Sequence, residues 1–81
     1  MTVNVKLFAA LRDVVGQAAL SLDVAEGRAA AQIAEQIAEK YPQVEKYLKR
    51  IAYAVNQEYV PGTTVLKDGD ELALIPPVSG G

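Results

Sequence analysis

The sequence predicts a single two-layer α+β domain, in which one main helix covers one face of a mixed sheet of four to five strands. The chain has 81 residues, a length that allows one domain. One stretch has the apolar period of a helix, and segments before and after it have the two-residue period of strands. One amphipathic helix is enough to cover one face of a small sheet, which leads to the two-layer arrangement.

The N-terminal part of the chain predicts a strand, a short helix and a second strand. Residues 2–8 alternate between apolar and polar side chains, which is the period of a half-buried strand. Apolar residues between positions 8 and 15 then recur at helical spacing, and Gly16 indicates a stop. Residues 18–24 alternate again and predict the second strand.

The clearest element is a long helix in the middle of the chain. Apolar residues within 30–41 form a single stripe, so Ile33 and Ile37 are expected to lie between the helix and the sheet. Pro42 ends the helix, because proline lacks the backbone donor that a helix interior needs. The start is less well marked, since Gly27 offers only a modest cap and no Ser or Thr is available for this role.

The second half of the chain predicts further short strands. Residues 43–50 are ambiguous and permit another short helix. Residues 51–55 are apolar and β-prone, and a turn leads from them into a short strand at 59–60. A strong turn signal at 67–70 precedes the final strand at 71–75, and this turn is favoured over a metal site formed by its two aspartates.

The composition excludes several classes of activity. The chain contains no Cys and no His, which excludes disulfides, thiolate metal sites and both Ser-His-Asp and Cys-His catalytic systems. A net charge of −2 argues against a nucleic-acid partner, since that role needs clustered positive charge. No run of about 18 apolar residues and no export leader is evident, so we expect no membrane span and a cytoplasmic location. We expect no independent enzyme activity.

Three groups of residues have both a structural and a functional interpretation. Lys46, Lys49 and Arg50 could attract an acidic partner, but a solvated face is favoured, since isolated surface charges contribute little. Phe8 lies opposite the buried face of its strand, where an exposed anchor for a partner and burial under the short helix are equally supported. Four tyrosines are expected to pack in the core and at its rim, a role that is favoured over a cofactor platform: Tyr41, Tyr47, Tyr53 and Tyr59.

The most informative segment follows the last strand and reads Pro76-Pro77-Val78-Ser79-Gly80-Gly81. Proline lacks the donor that a sheet needs and glycine is costly to order, so we expect a domain at 1–75 and an extended tail at 76–81. Such a tail reaches about 18 Å at about 3.1 Å per residue. Its glycines have no β-carbon and can pass a narrow channel, and its terminal carboxylate needs activation by another protein. A frayed terminus is the structural alternative.

Several short segments, taken in their order and spacing, carry a resemblance to a known family. These are Lys6-Leu7-Phe8-Ala9 with Leu11-Arg12 and Gly16, Ala54-Val55-Asn56-Gln57, Asp68-Gly69-Asp70-Glu71, and the Pro-Pro-Val-Ser-Gly-Gly ending. The whole chain resembles the small subunit of molybdopterin synthase, a family of sulfur carriers with the ubiquitin-like β-grasp fold.

The resemblance implies that the carboxylate of Gly81 carries sulfur. An ATP-dependent adenylating enzyme of the ubiquitin-activating type would adenylate it, and a sulfur donor protein would convert the product to a thiocarboxylate. The tail would then enter the large synthase subunit in a heterotetramer, with Gly80 easing its passage, and donate sulfur to cyclic pyranopterin monophosphate to form the molybdopterin dithiolene. This chain would bind no cofactor. The residues expected to contact the partner are Phe8, Ile75, Pro76, Pro77 and Val78.

Two other functions remain open from the sequence. The first is a sulfur carrier for thiamine or for another thiolated product, which would use the same Gly-Gly chemistry. The second is a non-covalent ubiquitin-like interaction module whose tail is inert. A thiocarboxylated terminus, detected by mass spectrometry on protein from the native host, would distinguish either carrier from the inert module.

Overall fold

The computed structural model describes residues 1–77, which form a five-stranded mixed sheet with the order β2-β1-β5-β3-β4. β5 is the last strand in the chain and lies in the middle of the sheet, parallel to β1 and antiparallel to β3. This confirms the predicted α+β class with its mixed sheet and main helix. In chain order the elements are β1 (Thr2–Leu7), α1 (Ala9–Val15), β2 (Ala19–Asp23), α2 (Ala30–Lys40), a 3₁₀ helix (Pro42–Tyr47), β3 (Ala52–Val55), β4 (Glu58–Val60) and β5 (Glu71–Ile75).

The core lies between the sheet and a single helical layer. Ile33 and Ile37 of α2 are buried as the apolar stripe predicts, and they share one cluster with Leu72 and Leu74 of the central strand. The short helices contribute to the same layer, since residues from α1 and from the 3₁₀ helix join this cluster. The ambiguous segment 43–50 therefore contains most of a short helical element, which packs against α1 and α2.

Helix α2 begins without a Ser or Thr cap because other groups satisfy its first N–H groups. The N-cap is Ala29 and not Gly27, which lies two residues earlier with a φ of +83°. The Gln32 side chain accepts a hydrogen bond from the Ala29 N–H at 2.9 Å, which is one half of a capping box. The N–H groups of the next two residues donate to carbonyls of the loop before β5, also at 2.9 Å. Tertiary contacts thus replace the cap that the sequence lacks.

A polar network ties the β3–β4 turn to the start of β5. Asn56 and Gln57 have φ values of +50° and +72°, as a tight two-residue hairpin turn demands. The Asn56 side chain donates to Asp70 Oδ1 at 3.1 Å and accepts from the Glu71 N–H at 3.0 Å. Asp70 Oδ2 accepts from the Lys67 N–H at 2.8 Å. Asp70 therefore serves the predicted turn, and no group of residues within 1–77 has the composition and spacing of a metal site.

No helix within residues 1–77 has the length and apolar character needed to cross a membrane.

Truncation of the buried stripe should destabilise the whole domain. Ile37 is 2% exposed, so Ile37→Ala leaves a cavity between α2 and the sheet and should lower the free energy of unfolding by about 2–5 kcal/mol. Denaturant titration measures this change. Glu39→Ala, on the exposed side of the same helix, is the matched control and should change it by less than about 0.5 kcal/mol. Equal effects of the two substitutions would contradict the packing of α2.

The polar network should make stability depend on acid pH. The pKa of Asp70 is lowered, first by the hydrogen bond from the Lys67 N–H and then by the Asn56 side chain. The pKa of Asp70 is lower in the folded state than in the unfolded state. The hydrogen bonds to its carboxylate therefore stabilise the fold fully when the pH is above the unfolded-state pKa. This stabilisation is lost as the pH falls through the folded-state pKa. Asp70→Asn should therefore lower the free energy of unfolding near pH 6 and match the wild type near pH 2.

Chemical denaturation at a series of pH values checks this expectation. Asp13→Asn removes an exposed carboxylate on α1 and is the control for the general loss of negative charge. If the curves of wild type and Asp70→Asn run parallel over the whole acid range, the network does not have this role.

Candidate functional site

The C-terminal segment leaves the sheet from its centre. Leu74 pairs with Leu7 of β1, and Ile75 pairs with Ala52 of β3, so β5 has a neighbouring strand on each side up to its end. Pro76 is buried and Pro77 is the first exposed residue after the strand. The body of the domain thereby fixes where the C-terminal segment emerges.

The sheet face opposite the helical layer carries an apolar patch. The helices of residues 1–77 all pack on the other face, so large side chains on this open face meet solvent. Phe8 is 43% exposed and Tyr59 is 75% exposed. They line a shallow depression together with Ala54, Ala73 and Ile75. We call these five residues the open-face patch.

Strand register brings the members of the open-face patch together. Tyr59 of β4 lies directly opposite Ala54 of β3, and Ala54 lies opposite Ala73 of β5. Both alanines are buried, yet neither belongs to the core cluster under α2. Side chains on the open face therefore cover them. Small residues on two central strands leave room for the larger side chains around them, which makes a shallow apolar surface instead of a ridge.

A charged pair borders the open-face patch. Lys6 Nζ lies 3.2 Å from Glu71 Oε1, and both side chains are partly exposed. An ion pair in this setting contributes little to stability. The charges of Lys6 and Glu71 cancel each other, so the border of the apolar patch has no net charge at this point.

The open-face patch has the properties of a binding surface and lacks those of a catalytic site. Its members carry no carboxylate, amine or thiol that could act as a nucleophile or base. Tyr53, whose pKa is raised mainly by burial and further by the charge of Glu35, pairs with Leu74 and so faces the core. It stays protonated at neutral pH and cannot act as a base there.

The structure describes Phe8, Ile75, Pro76 and Pro77 of the predicted site residues, and it corrects the expected packing of Tyr59. Phe8 lies on the open face and does not fold under α1, so the expectation of burial under the short helix is wrong, and the role of an exposed anchor for a partner stays a prediction. Ile75 lies beside it, whereas Pro76 is buried and can direct the chain but offers little surface to a partner. Tyr59 is not a rim residue, because its position opposite Ala54 puts it on the open face, where no helix of residues 1–77 packs over it. The remaining predicted site residues lie outside the described residues: Val78, Gly80 and Gly81.

Sequence reasoning missed Tyr59, Ala54 and Ala73 as members of a site. The alternation within each strand was visible, and it could have put Ala73 and Ile75 on one face of the last strand. It could not show that Ala54 lies beside Ala73, because that neighbourhood depends on the pairing of β3 with β5.

Comparisons with known proteins cover the whole chain. The model of the ThiS family matches residues 5–81. The molybdopterin synthase sulfur carrier subunit of Mycobacterium tuberculosis is 39% identical over 80 residues, which cover 98% of this chain and 96% of that protein. The protein of the same name from Homo sapiens is 35% identical, with 98% and 93% covered.

Solved structures have the same fold. SAMP1 from Haloferax volcanii superposes with a TM-score of 0.88 at 29% identity, and all of both chains is covered. A chain from the complex of subunits 1 and 2 of molybdopterin-converting factor from Helicobacter pylori superposes with a TM-score of 0.69 at 26% identity, again over the full length of both. These similarities confirm the ubiquitin-like β-grasp fold. The chain therefore belongs to the ThiS family, and the relatives that it matches over nearly their whole length are sulfur carrier subunits of molybdopterin synthase.

Proposed function

We propose that this chain is the sulfur carrier subunit of a molybdopterin synthase and that the Gly81 carboxylate is the group that carries sulfur. The observation that carries the proposal is the family match, which extends to residue 81. The geometry supports it, because β5 directs the C-terminal segment outward from the middle of the sheet, beside an apolar surface. From exposed Pro77 to Gly81 the chain can span at most about 17 Å. That length is sufficient to enter a buried site on another protein.

The first reaction would load sulfur onto the terminus. A Gly81 carboxylate oxygen attacks the α-phosphorus of ATP on an adenylating enzyme, pyrophosphate leaves, and an acyl-adenylate forms. A sulfur donor protein supplies a sulfide-level sulfur that attacks the acyl carbon, so a carbon–sulfur bond forms and AMP leaves. The product is a thiocarboxylate. This chain contributes the carboxylate and binds no cofactor, and ATP is used by the activating partner.

The second reaction would deliver the sulfur on the large synthase subunit. The thiocarboxylate sulfur attacks an electrophilic carbon of cyclic pyranopterin monophosphate, and a carbon–oxygen bond at that carbon breaks, with its oxygen leaving as water or as the released end of the cyclic phosphate. Water then attacks the acyl carbon of the resulting thioester, the bond between acyl carbon and sulfur breaks, the sulfur stays on the pterin, and Gly81 is released as a carboxylate. Each terminus delivers one sulfur atom, so a dithiolene consumes two loaded carriers. Glycines at the last two positions offer no β-carbon to clash with the walls of a narrow channel.

The open-face patch is the surface that would hold the partner while the tail is in use. Ile75 belongs both to the patch and to the strand that ends in the tail, so a protein bound there is next to the emerging chain. Phe8 has a large apolar side chain and Tyr59 has a large amphipathic one. A few large side chains of this kind supply most of the binding energy in protein interfaces. We assign the large synthase subunit to this surface, in a cytoplasmic heterotetramer. The complex of subunits 1 and 2 of molybdopterin-converting factor from Helicobacter pylori, one chain of which has the same fold, supports a partner of this kind.

A sulfur carrier for thiamine or for another thiolated product is the second candidate. The family match supports it equally, because it includes the same terminal residues. The names of the full-length relatives favour molybdopterin synthase over this alternative.

Removal of Gly81 should abolish sulfur loading and leave the fold intact. The core lies within residues 1–77, so the thermal unfolding midpoint should be unchanged. Incubation with the adenylating enzyme, ATP and a sulfur source, followed by mass spectrometry, should show replacement of one oxygen by sulfur only in the complete chain. Ser79→Ala, which keeps the terminus, is the control. Loading of the truncated chain would overturn the assignment of Gly81.

Docking and delivery should respond to different substitutions. Tyr59→Asp puts a charge at the centre of an apolar interface and should weaken binding to the large subunit by at least tenfold, since an unpaired buried charge is costly. Gly80→Val should bind within about threefold of wild type but fail to deliver sulfur, because its side chain cannot pass the channel. Calorimetry and single-turnover assays with pre-made thiocarboxylate separate the two effects. Normal delivery by Gly80→Val would refute the narrow-channel argument.

A further inference from the structure

Positively charged side chains lie on both sides of the point where the C-terminal segment emerges. Arg50 is two residues before Ala52, which pairs with Ile75 at the end of β5, so its Cα lies at most about 7 Å from that of Ala52. Lys49 precedes it in the same loop. On the other side, β1 runs parallel to β5 and continues directly into α1, which carries Arg12. The two strands that flank β5 thus each connect to exposed cations at the end where the chain leaves the sheet.

These cations are exposed, and they form no ion pair within 4.0 Å with the carboxylates nearest to them in the chain, Asp13 and Glu45. Arg12, Lys49 and Arg50 are all exposed. Within residues 1–77 the ion pairs at 4.0 Å or less are those of Lys6 and of the N-terminal amine, so these three side chains have no carboxylate partner there. Asp13 is the one acidic residue in α1, and the loop from 48 to 51 contains none. We call the three residues the tail-exit basic cluster.

Negative charge collects at the opposite end of the sheet, although the net charge of the whole chain is −2. β5 starts at this end of the sheet and β2 ends at it. The β3–β4 turn is hydrogen-bonded to the first residue of β5 and so lies at this end as well. The acidic residues at that end are Asp23, Glu58, Asp68, Asp70 and Glu71. Three positive groups accompany them, namely the N-terminal amine 3.6 Å from Asp23, Lys6 3.2 Å from Glu71, and Lys67, so the five carboxylates leave this end with a net negative charge. A five-residue strand is about 13 Å long between its terminal Cα atoms, which exceeds the screening length of about 8 Å at physiological ionic strength. An approaching protein therefore meets a positive end and a negative end separately.

We infer that the tail-exit basic cluster attracts a partner whose channel mouth is rimmed by carboxylates, and that it orients the carrier with the tail foremost. The inference rests on the proposed function, since it assumes that the segment after Pro77 enters a channel of the large subunit. The sequence alone favoured a solvated face for Lys49 and Arg50, because it did not show that they lie beside the emerging chain. Their position makes them the first side chains, apart from the tail and the open-face patch, to meet the rim of such a channel.

The physical effect of the cluster is on the rate of association. Complementary surface charge raises association rate constants by about 10- to 1,000-fold at low salt and has a smaller effect on dissociation. A carrier that must bind one protein for loading and another for delivery needs rapid association without a long-lived complex. Charges at the rim meet this need better than a larger apolar interface, which would mainly slow dissociation.

Stopped-flow association with the large subunit tests the inference on the complete chain. The variant Lys49→Glu/Arg50→Glu should associate about tenfold more slowly than wild type at low ionic strength, and the difference should shrink to less than about twofold near 0.5 M salt. Its dissociation rate constant should change by less than about threefold. The matched control is Arg28→Glu/Lys67→Glu, which makes the same change in net charge away from the tail exit and should reduce association by less than about twofold.

The outcomes separate this inference from the proposed function. If the wild-type chain neither binds the large subunit nor delivers sulfur to the pterin, both are overturned. If the wild type does both and the cluster variant associates at the wild-type rate, the inference is wrong and the proposed function stands. Equal slowing by the cluster variant and the control would also overturn it, because net charge and not position would then be responsible. Thermal unfolding of both variants confirms that they are folded.

Discussion

The parallel pairing of β1 with β5 is the constraint on which the rest of the structure depends. It puts the last strand of the chain in the middle of the sheet, where Leu72 and Leu74 are fully buried against the helical layer. A strand that is held on both sides cannot shift its register without moving its apolar residues out of the core. The position from which the C-terminal segment emerges is therefore as stable as the core itself. A carrier needs this property, because its reactive terminus must be presented from a fixed point.

The same register divides the two faces of the sheet between stability and recognition. On one face the aliphatic residues of β1 and β5 pack under α2. On the other face, Ala54 and Ala73 are small enough for Phe8 and Tyr59 to lie around them, and this surface adjoins the end of β5. Substitutions that alter recognition on the open face can thus be tolerated by the core. The proposed chemistry of the carrier belongs to neither face, since it is assigned to the carboxylate of Gly81.

The two ends of the strands differ in charge and in hydrogen bonding. Asn56 and Asp70 fix the end at which β5 begins, and acidic residues accumulate there. The opposite end has a buried Pro76 and exposed cations that include Arg50. One end is therefore held together by internal polar contacts, and the other is available to a partner. The ThiS family relationship and the apolar open face support the proposal that the carrier meets its partners with the end that bears the tail.

The sequence by itself determined the local elements and the character of the tail. Periodicity located α2 and the strands, and the Gly80-Gly81 ending led to the proposal of a carrier terminus, because these signals are contained in neighbouring residues. Only the tertiary structure decided that Ala29 is the N-cap of α2, that Tyr59 and Ala73 share a surface, and that Arg50 lies beside the tail exit. Each of these depends on contacts between residues far apart in the chain. Alternation within one strand cannot specify which strand lies next to it.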